Sequence, residues 1–154
     1  MKAVAIVESK HWVNVWSLFR TADGLGFDKI YVVDLRLSSI PRMNRRKIDL
    51  DKPPHDKIVL LSRAEFLEVI PEYDAVSMEL TEDAQDLMDY EWGEKPLVIV
   101  GPEDGNIPEE ILEITDQVKV PMQGLVRCFN VACAGSIAMY DAIRNSTPEV
   151  VMDG

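Results

Sequence analysis

A chain of 154 residues has room for one domain with a core of its own, and 47% apolar residues are too many for a disordered one. No apolar run approaches the roughly 18 residues a membrane span needs, and the opening MKAVAIVESKHW reads as a first strand, not as a secretory signal. A net charge of −11 argues against nucleic-acid binding by the body as a whole, while the two cysteines, Cys128 and Cys133, fit no metal-site spacing and read as reduced, mostly buried side chains of a cytoplasmic protein.

In chain order, AVAIV (3–7) predicts a strand covered on both faces. Val15, Leu18, Phe19 and Ala22 then recur at helical spacing, with Asn14 as the N-cap and Gly24 and Gly26 closing the segment. KIYVVD (29–34) is a second strand. Residues 35–48 (LRLSSIPRMNRRKI) carry Arg36, Arg42, Arg45, Arg46 and Lys47 and no acid. On an otherwise acidic body such a loop is either a local docking patch for an RNA backbone or a solvated loop. KIVLL (57–61) is a third strand, followed by a short helix over 62–70 with Ser62 as cap and Glu65 in capping-box position. DAVSMEL (74–80) and PLVIV (96–100) are strands joined by an acidic connection, helical or irregular. PEEILEI (108–114) is a helix with Pro108 at its first position, QVKVP (117–121) the last strand, and CFNVACAGSIAMYDAI (128–143) the last helix, before a loose tail.

Strands separated by helical crossovers predict an α/β fold: a mostly parallel sheet with helices on both faces. Residues 1–148 read as one domain and 149–154 as a short tail. Ligands of such sheets bind at the carboxyl ends of strands, which points to the loops after Val7, Leu80, Val100 and Pro121.

Three segments carry chemistry. Gly101-Pro102-Glu103-Asp104-Gly105-Asn106-Ile107-Pro108 has two glycines that let a ligand approach the backbone, but it is no phosphate loop and has no lysine. Its two carboxylates would repel a phosphate, so a neutral or cationic ligand fits it better; alone, the segment reads equally as a tight turn capping a helix. The second segment runs from Asn14 to Gly26. Six residues turn a helix by about 600°, so Asn14 and Arg20 do not share a face if both are helical. Arg20 is then a snorkelling or salt-bridged residue at the edge of the apolar stripe, or a fixed cation for a phosphate or an oxyanion. The third segment, Val120 to Ser136, leads into a helix that is apolar almost all round, with small residues at 132–136 suited to close approach by another backbone or a partner subunit. Asn130 is its odd polar residue, by itself an ordinary cap or a satisfied buried amide.

In order and in residues the three segments resemble the motifs of the SpoU branch of the SPOUT methyltransferases. The first matches as N-x-x-x-x-x-R-T-A-D-x-x-G, the second as G-x-E-x-G-x-x, and the third as V-P-M followed by Cys128-Phe129-Asn130-Val131 where the family has S-L-N-V-type residues. The resemblance spans roughly residues 3–143. It implies a fold with a C-terminal trefoil knot and a homodimer packed through the first and last helices. It also implies S-adenosylmethionine held by Ser77, Met78, Glu79, Leu80, Gly101, Pro102, Glu103, Val120, Met122, Leu125 and Asn130. Catalytic positions fall on Asn14, Arg20, Glu103 and Asn130. Two residues depart from the pattern: Trp16 stands where a glycine is usual, and Cys128 where a serine is.

The implied reaction is in-line transfer of the sulfonium methyl to a ribose 2′-hydroxyl of RNA, with tRNA as the expected substrate and neither metal nor membrane involved. Arg20, from the same or the opposite subunit, would stabilise the emerging alkoxide, and Arg20, Arg36, Arg42, Arg45, Arg46 and Lys47 would hold RNA. An rRNA-directed enzyme and a non-catalytic relative that binds RNA and S-adenosylmethionine are the alternatives within this resemblance. Outside it stands an unrelated doubly wound protein for a small metabolite or flavin, which the missing phosphate loop disfavours.

Overall fold

A computed structural model of the chain describes residues 1–36 and 55–146. Arg42, Arg45, Arg46 and Lys47 of the basic segment and the 149–154 tail lie outside the described residues.

The strands over 3–7, 29–33, 58–61, 74–78 and 96–100 form where the sequence has apolar runs. β1 (Ala3–Val7) is buried at all five positions because both faces of the sheet are covered there. Val4 and Ile6 pack on one side with Val15, Leu18 and Phe19 of α1 (Trp12–Gly24) and Ala138 and Met139 of the last helix. Ala3, Ala5 and Val7 face the other side, against Phe66 of α2 (Arg63–Val69) and Ile111 and Leu112 of α3 (Glu109–Leu112). The remaining strands are β2 (Lys29–Val33), β3 (Ile58–Leu61), β4 (Asp74–Met78), β5 (Gln85–Asp86), β6 (Pro96–Val100) and β7 (Asp116–Lys119), and the last helix is α4 (Val131–Ser146). They make a seven-stranded sheet in the order β3-β2-β1-β6-β4-β7-β5, with every pair parallel and helices on both faces, as expected for the class. β6 fills the gap between β1 and β4, and β7 the gap between β4 and β5. Among the described residues no helix is long and apolar enough to cross a membrane.

Several expectations are corrected at element ends. Helix α1 starts at Trp12 with His11 at the cap position, so Asn14 lies inside the first turn and is not the N-cap. Pro108 occupies the cap position of α3, one residue before the expected place, and that helix is a single turn. Helix α4 begins at Val131, not at 128, and Asn130 caps it: its side-chain oxygen accepts from the N–H groups of Ala132 (2.9 Å) and Cys133 (3.2 Å). The acidic connection holds a short 3₁₀ turn at Leu87–Asp89 and the two-residue strand β5, which pairing with β7 stabilises despite its poor strand propensity. Both cysteines are exposed, contrary to expectation: Cys128 precedes α4, and Cys133 sits on its outer face. The capping box of α2 forms as expected, with Ser62 and Glu65 exchanging bonds of 3.2 and 3.0 Å.

The carboxyl edge of the sheet is held in shape by side chains. Strands β1 and β2 end on Glu8 and Asp34, both in the left-handed region (φ 54° and 46°) that residues other than glycine avoid. Arg63, at the start of α2, binds both turns. Its backbone N–H donates to Asp34 at 3.0 Å, and its guanidinium pairs with Glu8 and, at 3.1 Å, with Glu110.

Candidate active site

A cleft of about 540 Å³ opens at the carboxyl ends of β4, β6 and β7. Its wall combines the residues after β4 (Met78, Glu79, Leu80), the loop after β6 (Gly101, Pro102, Glu103), Val120 after β7, and Asn130 with Asn14. All four loops singled out by the strand-end argument contribute here, the loop after β1 through His11 and the one after Pro121 through Cys128 and Phe129. The loop after β6 folds back on itself at Gly101, where a Cβ would lie 2.8 Å from Ile107 Cγ1 and 3.1 Å from its nitrogen, so a larger residue would push Ile107 out of place.

The polar residues of the three motif segments are wired together. Asn130 Nδ2 donates to Asn14 Oδ1 at 2.8 Å, and Asn14 Nδ2 donates to Glu103 Oε1 at 3.1 Å. Because Asn130 Oδ1 caps α4, a continuous donor chain runs from the start of that helix to the Glu103 carboxylate, each bond polarising the next. Glu103 also accepts from Ser9 Oγ (2.5 Å), Lys10 N (3.1 Å) and His11 N (3.4 Å), which places an anion at the start of α1, a helix with no acidic residue in its own first turn. Burial alone would push the Glu103 carboxyl up, but the bonds from Ser9, Asn14 and the backbone outweigh it and hold the group below its ordinary value. Glu79 goes the other way: burial raises it, against the backbone bonds it accepts from Ile107 and Leu80. Beside Glu103, Asp104 pairs with Arg36 (2.7 Å) and Lys10 (3.1 Å), which hold it well below the usual carboxylate range.

Other expected site residues stand apart from the cleft lining. Ser77 is buried within β4, its hydroxyl 2.7 Å from that of Thr115. Met122 and Leu125 do not line the cleft, and Leu125 is fully exposed. Arg20 is exposed on α1, makes no ion pair or hydrogen bond among the described residues, and does not reach the cleft of its own chain. Arg36 is engaged locally, with its Nε also donating to the Glu8 carbonyl at 2.8 Å. Sequence reasoning missed Ser9 and Lys10, although both directly follow β1, at a strand end already marked as a ligand edge. It also missed Lys119 and Phe129 in the lining, and Cys128, noted only as a motif departure, is there too.

A second, shallow groove runs between the outer faces of α1 and α4, lined by Val13, Ser17, Thr21, Cys133, Ser136 and Ile137, with Asn14 and Asn130 at its junction with the cleft. Val13 (75%) and Ile137 (41%) are strongly exposed for apolar side chains.

Comparison with known proteins gives the family and the fold. Residues 1–140 match the model of the SpoU rRNA Methylase family. A tRNA (guanosine(18)-2′-O)-methyltransferase of Thermus thermophilus is 33% identical over 66 residues, 42% of this chain and 34% of that enzyme. The chain spans about a third or less of the length of the curated relatives it matches. A solved structure concerned with 2-OH methylation of C/U34 on tRNA is 30% identical and superposes with a TM-score of 0.76, covering 94% of this chain and 95% of that one. The SpoU methyltransferase AviRb from Streptomyces viridochromogenes, solved in complex with AdoMet, shares the fold at 21% identity and a TM-score of 0.74, over 92% of this chain and 59% of that one. With its motif segments assembled around one cleft and the family model matched from residue 1 to 140, the chain belongs to the SpoU rRNA methylase family.

Proposed function

We propose that the protein is an S-adenosylmethionine-dependent RNA methyltransferase acting on a ribose 2′-hydroxyl, with tRNA as substrate. The observation that carries the reading is the donor chain from Asn130 through Asn14 to Glu103, which ties all three motif segments to the rim of one cleft. The cleft suits the cofactor chemically. Its volume is in the range of small-molecule sites, and its two carboxylates, Glu79 and Glu103, against the single Lys119 favour a cationic ligand over a phosphate. When bound, the cofactor supplies an electrophilic sulfonium methyl.

What the chain must add is alignment of the ribose hydroxyl and stabilisation of the emerging alkoxide. Arg20 is assigned that second role. A guanidinium with a pKa above about 12 is no base at neutral pH, so the hydroxyl proton leaves to another acceptor, a role we assign to an RNA phosphate. Arg20 lies seven residues after Val13 on the exposed face of α1, the face that also carries Ser17 and Thr21 of the outer groove. The exposed apolar side chains of that groove, Val13 and Ile137, and an Arg20 that stands away from its own cleft support a homodimer whose partner completes the site. The C-terminal trefoil knot belongs to the same proposal: β6 and β7 fill gaps inside the sheet, and the chain then returns to lay α4 against α1 and β6.

The test is a methyl-transfer assay on bulk tRNA with a labelled cofactor, followed by mapping of ribose methylation. Wild-type protein should label tRNA, and Arg20→Ala should abolish turnover while leaving cofactor affinity within about twofold. Labelling of rRNA alone would redirect the substrate, and an absence of labelling together with cofactor binding would favour a non-catalytic relative. Loss of cofactor binding in Arg20→Ala would refute the role given to that residue.

A further inference from the structure

Three formally charged side chains belong to the cleft lining: Glu79, Glu103 and Lys119. Glu103 is committed, accepting from Ser9, Asn14 and two backbone N–H groups. Lys119 makes no ion pair among the described residues. Glu79 follows β4, half-buried, with Oε2 accepting from Ile107 N at 3.0 Å, and no cation of the described residues lies within ion-pairing distance of it. That bond pins the end of the 101–107 turn to the end of β4, but the clamp does not require a charge. A glutamine oxygen in the same place would accept the same bond and avoid desolvating an anion. The fold therefore explains the acceptor and leaves the charge without a purpose.

We infer that Glu79 is the counter-charge for the positively charged part of the cofactor, reading the sulfonium or the ammonium of S-adenosylmethionine from the β4 side of the cleft. The inference rests on the cofactor assignment proposed above and goes beyond it by giving Glu79 an electrostatic role distinct from its clamp on Ile107. Burial raises the carboxyl group against its two backbone bonds, and a docked cation would oppose that effect.

Calorimetric titration of the wild-type protein and Glu79→Gln with three ligands tests this. S-adenosylmethionine carries both cations, S-adenosylhomocysteine keeps only the ammonium, and 5′-methylthioadenosine has neither. Glu79→Gln should weaken S-adenosylmethionine by roughly tenfold or more, the scale of a lost charged contact, and leave 5′-methylthioadenosine unchanged. An equal loss for S-adenosylhomocysteine assigns the ammonium, and a smaller one assigns the sulfonium. In the latter case the same carboxylate favours release of the spent cofactor, whose sulfur is neutral. Equal weakening of all three ligands would reduce Glu79 to a loop clamp and overturn the inference, as would unchanged S-adenosylmethionine affinity. Wild-type protein that binds none of the three would instead sink the cofactor assignment, and this inference with it. Unfolding midpoints of the two proteins check that the substitution has not simply loosened the fold.

Discussion

Asn130 performs two tasks with one amide: its oxygen caps α4, and its NH₂ group supplies Asn14. The tasks can be separated. Asn130→Ala removes both, and loss of the cap should cost about 1 kcal/mol, read from urea unfolding. Asn130→Asp keeps a capping oxygen but turns an acceptor toward Asn14 Oδ1, which breaks the donor chain to Glu103. It should recover most of the stability while remaining as poor in methyl transfer as the alanine variant. Recovery of activity by Asp would mean the chain matters only as a cap. Both asparagines were visible in the sequence as polar residues at helix starts, yet Asn14 was read as a cap. The two are alike locally, since either makes a good cap. What separates them is Glu103, 89 residues from Asn14 in sequence, whose carboxylate draws the Asn14 side chain away from the backbone of its own helix.

Between elements, α4 meets α1 and β6 closely at Gly135, where an added Cβ would stand 2.8 Å from Leu18 Cδ1 and 3.1 Å from Val100 Cγ1. The small residues at 132–136 thus serve the packing of α4 onto α1 and β6, the contact that sets Asn130 opposite Asn14. Gly135→Val should overpack this contact and lower stability by about 1–3 kcal/mol, seen as a lower urea midpoint at an unchanged slope. Alanine should do less harm, because the nearest atom is the end of a flexible leucine and the helix gains propensity. The existence of these elements was legible because apolar runs and 3.6-residue spacing are local. Their ends were less so. The second strand stops at Val33 and not at Asp34 because Asp34 swings into a left-handed turn held by Arg63, a partner no local pattern announces. β5 was missed for a similar reason: Gln85 and Asp86 become a strand only because β7 offers an open edge.

For the whole molecule, periodicity gave the layers but not the strand order. The runs that become β1, β4 and β6 are interchangeable as buried strands, so nothing local says that the sixth settles between the first and the fourth. The strand-end rule marked the loops, and the motif resemblance tied them to one cofactor site. The resulting cleft leaves a signature in the pH dependence of folding. Glu103 sits below its ordinary value of 4.5 in the folded chain, so its contribution is complete above pH 4.5 and is lost as pH falls through the lower folded value. Glu79 sits above 4.5, so the folded state bears the cost of its charge at neutral pH and is relieved of it as pH falls through the raised folded value toward 4.5. Two substitutions should therefore diverge. Glu103→Gln should be less stable than wild type at pH 7, with a gap that begins to close only below pH 4.5. Glu79→Gln, free of ligand, should be at least as stable as wild type at pH 7, with any advantage gone by pH 4.5. Urea midpoints at pH 7, 5.5, 4.5 and 3.5 decide the matter, since the two gaps have opposite signs and meet wild type on opposite sides of one pH. If Glu79→Gln proves markedly less stable at neutral pH, the carboxylate has a partner that stabilises its charge in the folded chain, and it does not wait for a cation in the cleft.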